Sequence, residues 1–171
     1  MRCKYIPILL AMLAAAAFAS CNSPAEENAE SSAQESGSAP SEPEESPLAP
    51  LMAQLYAGMK EEDLPMRLET VLTEENSEYY TGVPFSSYRE GLASDAAIGS
   101  IAHSVCLLRA EDEEAAKSLA DEVEKSADPR KWVCVEAETK LVRQKGDLVV
   151  LIMTDASQAE QISANFDALE D

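Results

Sequence analysis

The chain has 171 residues, a formal net charge of −19, four cysteines and a single histidine. So acidic a molecule is a poor partner for nucleic acid, where Lys and Arg must neutralise phosphates, and for lying flat on an anionic membrane. One histidine and scattered cysteines also fall short of the ligand spacing of a zinc or other transition-metal centre, so neither metal nor cofactor is expected.

Residues 1–20 have the form of an export signal. Arg2 and Lys4 precede "YIPILLAMLAAAAFA", which is shorter than the roughly 20 apolar residues that span a bilayer and ends in small side chains. "AFA" before Ser20 fits an ordinary secretory cleavage site. "FASC" instead resembles the lipobox of bacterial lipoproteins, with Phe18 where leucine is usual. That resemblance implies cleavage between Ser20 and Cys21 and a thioether-linked diacylglycerol on the Cys21 sulfur. Two fatty chains anchor stably, at about 0.8 kcal/mol per buried CH₂, where one is marginal. Processing removes two bases and no acid, taking the charge from −19 to −21.

Residues 21–47 form an acidic linker. It has Glu26, Glu27, Glu30, Glu35, Glu42, Glu44 and Glu45, no base and no large apolar side chain, so nothing in it offsets the entropy of ordering. As a flexible coil it would reach roughly 30 Å.

Residues 48–171 make one domain. "PLAPLMAQLYAGM" spaces its apolar residues as a helix ending near Gly58. "MRLETVL" suits a short strand, and "TEENSEYYTG" a helix closed by Gly82. Extended runs are expected near 85–94 and 98–110. "EDEEAAKSLADEVEKSAD" has an acidic first turn and an apolar stripe of Ala116, Leu119, Ala120 and Val123 before Pro129 stops it. "KWVCVEA" is expected to be extended. "TKLVRQ-KGD-LVVLIM" predicts a hairpin turning at Gly146, with Leu148–Met153 covered on both faces. The last segment starts a helix at Asp155, with Gln158 placed for a capping box. The order ββα-ββα predicts an α+β fold, a mostly antiparallel sheet with helices packed on it.

With these elements placed, residues 64–170 resemble a family of small bacterial lipoproteins of Gram-positive type that carry a domain of unknown function. The resemblance rests on Tyr79-Tyr80 before Gly82, "IGSIAHSVCLLRA" leading into an acidic-start helix, "RKWVCVEAE", and "KGDLVVLIMTD" before the last helix. It implies a lipid anchor in the outer leaflet of the cytoplasmic membrane and supplies no catalytic residues.

The candidate sites are modest. His103, in an apolar run, suits a strand residue facing solvent or a satisfied partner. Cys106 and Cys134 lie in "SVCLL" and "WVCVE", where a thiol behaves as a small buried hydrophobe, although an exported pair can form a disulfide. Arg130, Lys131, Trp132, Lys140, Arg143 and Lys145 suggest a basic, aromatic patch for an anion, or simply an edge strand guarded by charge. Tyr79, Tyr80, Phe85 and Tyr88 suggest an aromatic loop that anchors itself to the core or lines a groove. The expectation is a membrane-anchored extracytoplasmic lipoprotein whose domain binds an envelope protein or a small ligand and is not an enzyme. The alternatives are a structural accessory subunit of an envelope complex and a hydrolase using dispersed acids.

Overall fold

A computed structural model describes residues 46–170. The expected signal segment, Cys21 and most of the expected linker lie outside the described residues.

The core is a five-stranded sheet in the order β1-β2-β3-β5-β4, with every neighbouring pair antiparallel. Its strands are β1 (Arg67–Val71), β2 (Glu90–Ala96), β3 (Ser104–Arg109), β4 (Thr139–Lys145) and β5 (Leu148–Thr154). The helices are α1 (Ala49–Leu55), α2 (Ser77–Thr81), α3 (Glu113–Ser126) and α4 (Ala156–Asp167). The expected α+β architecture is therefore present.

Alternation along the strands divides the core in two. Ala93, Cys106, Leu108, Val149, Leu151 and Met153 face α3 and the α2 region, where they meet Ala116, Leu119 and Val123. Leu92, Val105, Leu107, Val150 and Ile152 face the other way, onto Met52 and Leu55 of α1 and Ala159, Ile162 and Phe166 of α4. Covered on both faces, β5 is the continuous apolar strand its sequence suggests, with Val149–Thr154 all buried.

The helix ends follow local chemistry. Asp112 caps α3 by accepting from Ala115 N at 2.8 Å, and Asp155 caps α4 by accepting from Ser157 N and Gln158 N at 3.0 Å. Gln158 does not complete a capping box. Its side chain turns inward instead, with Nε2 donating to the Asp63 carbonyl at 3.0 Å. Gly82 ends α2 at φ +77°, and a Cβ there would come within 2.4 Å of the Ser126 carbonyl. Only glycine lets α2 lie so close to the end of α3. Gly146 turns the β4–β5 hairpin at φ +54°.

Three expectations require correction. The first long extended run begins at Glu90, because Phe85–Ser87 forms a 3₁₀ turn; the second begins at Ser104, because 97–103 is a connection. "KWVCVEA" is not extended pairing chain but an irregular loop between α3 and β4. Trp132 is buried there while Val133 and Cys134 are exposed, and Ala137 N donates to the Pro129 carbonyl across the loop.

Candidate functional site: an apolar rim over a buried ion pair

Adjacent residues His103 and Ser104 lead into β3 and face opposite sides of the sheet. Each enters a polar cluster.

On the α1/α4 side, His103 is buried and fully partnered. Its Nε2 lies 2.9 Å from the Tyr56 hydroxyl; its Nδ1 lies 2.9 Å from Thr154 Oγ1 and 3.0 Å from Gln158 Oε1. Because the Gln158 amide nitrogen is committed to Asp63, its oxygen must face His103. Nδ1 therefore carries the proton, and Nε2 accepts from Tyr56. Burial is the main cause that lowers the His103 pKa, and nearby Arg67 adds to it; the Gln158 hydrogen bond, Asp95 and Asp155 act the other way. The histidine is a satisfied core residue and not a solvent-facing one.

On the α3 side, Lys131 reaches in from the irregular loop. Its ammonium donates to both Asp95 oxygens at 3.2 and 2.9 Å and to Ser104 Oγ at 2.9 Å. The rings of Tyr80, Tyr79 and Trp132 stand 4.4, 5.0 and 5.2 Å from the same nitrogen. The side chain is only 3 % exposed and that of Asp95 15 %. A cation so enclosed needs both the carboxylate and the ring faces. A lysine beside a serine hydroxyl is also the arrangement of a nucleophile and its base, but that chemistry needs a neutral amine and an accessible oxygen. Here the amine is ion-paired and Ser104 is fully buried. The pair as built fixes the loop onto β2.

The two sequence candidates thus meet at one residue. Lys131–Trp132 and Tyr79–Tyr80 share the Lys131 charge, and Asp95 completes the set. The rest of the basic run disperses. Lys140 Nζ turns toward the end of α3 and donates to the Glu124 and Ala127 carbonyls, while Lys145 Nζ caps the end of α4 through the Asp167 and Leu169 carbonyls. The two lysines therefore serve opposite faces of the sheet, each at the negative end of a helix. Arg130 and Arg143 are exposed. The six residues do not form one patch.

Cys106 is buried in β3, its thiol pushed up to about 11 chiefly by burial. Cys134 is exposed on the loop, and both are free. Cys134 is therefore not the buried hydrophobe its sequence context implies. In the aromatic loop, Tyr88 is buried and shares a 2.5 Å hydrogen bond with Ser77, while Phe85 meets it edge-on. These two anchor the loop to the core.

Around the ion pair, apolar side chains stand in solvent. Leu68 is the β1 partner of Asp95 in the strand register and is 60 % exposed. Tyr79, whose ring stands beside the Lys131 ammonium, is 55 % exposed, and Val133, two residues past Lys131 in the loop, is 99 % exposed. Met66, Ile98 and Ile101 are also exposed, at the end of the sheet where Ala97 N donates to the Met66 carbonyl. With Val71, which lies further along β1 opposite Leu92 and on the other face of the sheet from Leu68, these are the exposed large hydrophobics of the described residues. The chain enters the domain at the other end. Leu51, near the start of α1, lines a hollow with Arg109, Gly146 and Leu169, whereas Tyr56, just past its end, reaches Ser94 and His103.

Nothing in the sequence spacing joins Asp95 to Lys131 or marks β1 as exposed. No family model, curated protein or solved structure matches the chain.

Proposed function

We propose that this chain is a lipid-anchored extracytoplasmic lipoprotein whose domain binds a protein partner through the apolar rim beside β1, without chemistry of its own. The observation that carries the reading is the set of exposed hydrophobics Met66, Leu68, Ile98 and Ile101 at one end of β1 and in the adjoining β2–β3 connection of an otherwise acidic domain. Large apolar side chains exposed together at one end of a domain are a usual mark of an interaction site. Its position favours a partner over the lipid. The linker joins the domain near the β4–β5 turn, and Ile98 and Ile101 lie at the opposite end. An anchor at Cys21 followed by an acidic tether would leave that end free to reach a protein in the envelope. The lipobox and the resemblance to Gram-positive-type lipoproteins support anchoring in the cytoplasmic membrane, facing outward.

Two measurements test this. Metabolic labelling with a fatty acid should mark the wild-type chain and leave Cys21→Ala unlabelled; equal labelling removes the anchor. A photo-crosslinking residue at Ile98 should capture a protein in intact cells, while the same residue at Glu160 on α4 should not. Equal capture at both positions, or none at either, removes the binding surface.

A further inference from the structure

We propose that the partner at β1 is a second copy of this chain, joined by antiparallel β1–β1 pairing across a two-fold axis. This rests on the partner-binding reading and names the partner. β1 is an outer strand of the sheet. Leu72 N donates to the Gly91 carbonyl and Ala97 N to the Met66 carbonyl, so Met66, Leu68, Thr70 and Leu72 turn their backbone groups toward β2. In an antiparallel ladder the alternate residues then point theirs outward. Arg67, Glu69 and Val71 form that open edge.

One register answers every group on it. Placing Arg67 opposite Glu69 of the second copy creates two symmetric cross-strand ion pairs. Leu68 then faces its own counterpart at the axis, in the closer, non-hydrogen-bonded position. One step further out, Val71 faces Pro65. The proline has no N–H to give, and the Val71 carbonyl needs none, because Asn76 Nδ2 already donates to it at 3.1 Å. Centring the pairing on Glu69 would oppose two carboxylates. Centring it on Thr70 would leave the occupied Val71 carbonyl facing a Glu69 N–H and bring in Leu72, which is buried. The opposite outer strand, β4, carries Lys140, Arg143 and Lys145, a common guard against edge pairing, whereas β1 carries exposed Leu68 and Val71.

Two acidic domains repel, so pairing should strengthen as salt rises from low to physiological, where the Debye length is about 8 Å. Anchoring both copies in one membrane raises their effective concentration.

The test uses the full chain in its membrane, in a Cys134→Ser background. Under mild oxidation Leu68→Cys should give a covalent dimer and Thr70→Cys should not, because only position 68 meets itself within disulfide reach. No dimer at 68, or equal dimer at both positions, overturns the proposal. Glu69→Pro is the companion variant. It removes an outward N–H and no β1–β2 bond, so the monomer should keep its unfolding temperature while self-association in detergent weakens at least tenfold. Unchanged association overturns the pairing. A monomeric wild type that still crosslinks another protein at Ile98 overturns self-pairing and leaves the partner-binding reading standing; a monomeric wild type with no crosslink at Ile98 overturns both.

Discussion

Two polar clusters lie back to back across the start of β3, and they are built on opposite principles. His103 sits in a neutral network in which each ring nitrogen has a partner, from Tyr56 just past α1, from β5 or from α4. Lys131, entering on the far face through its bond to Ser104, is a charge held by a counter-charge and three rings. A neutral network loses a little when any one member goes, because the others keep some partners. An ion pair in a dry setting loses much when one partner goes, because the other charge is stranded. Location matters too. The histidine network ties together elements already packed on the core, whereas the lysine is the main polar tie of an irregular loop to the sheet.

The largest effect is therefore expected from Asp95→Ala. With the Lys131 ammonium left buried and unpaired, stability should fall by about 3–5 kcal/mol, a large fraction of the 5–15 kcal/mol typical of a domain. Thermal unfolding of the full chain reads this directly. The double variant Asp95→Leu with Lys131→Met should recover much of the loss, since an apolar pair of similar volume removes the stranded charge. Simple additivity of the two single losses would show that the pair is not coupled and would erase the contrast with His103.

A smaller effect is expected from Tyr56→Phe, on the neutral side. Removing the hydroxyl leaves His103 Nε2 buried without a donor, at a cost of about 1–3 kcal/mol. Nδ1 should keep its proton, because Gln158 holds it and Asp63 holds Gln158. Nitrogen chemical shifts of the single histidine check the tautomer. A switch of the proton to Nε2 would mean that Tyr56, and not Gln158, sets the ring.

The contrast also explains what the sequence could reveal. The helices, the Gly82 stop and the Gly146 hairpin follow from local rules: capping acids, apolar spacing and left-handed turns. The loop at 131–137 does not. "WVCV" has the composition of a strand, yet a distant carboxylate decides its path, and Lys131 drags Trp132 inward while Val133 is left outside. Asp95 lies 36 positions away on another strand, a separation that no local pattern encodes. Both halves of the candidate surface, Tyr79–Tyr80 and Lys131–Trp132, were visible as unusual clusters. That they share one charge is a property of the folded sheet. The basic run misled for a related reason, because consecutive residues of a strand face opposite ways.

The smallest effect sharpens the comparison through pH, which should touch the histidine side of the molecule near neutrality. Burial lowers the folded pKa of His103 below its ordinary value of 6.5. The unfolded chain, with the higher pKa, then binds the proton more readily. The contribution is fully present above pH 6.5 and is lost as pH falls from 6.5 toward the folded pKa, below which it no longer changes. Arg67 works with burial here; Asp95 and Asp155 oppose it. Proton resonances of the single histidine should therefore titrate with a midpoint below 6.5. The unfolding temperature of the wild type should fall more steeply than that of His103→Gln over the same interval, since the variant keeps every carboxylate and lacks the ring. A histidine midpoint at or above 6.5, or parallel stability profiles for the two proteins, would mean that the ring is solvated or charged in the fold. The two faces would then no longer differ in kind.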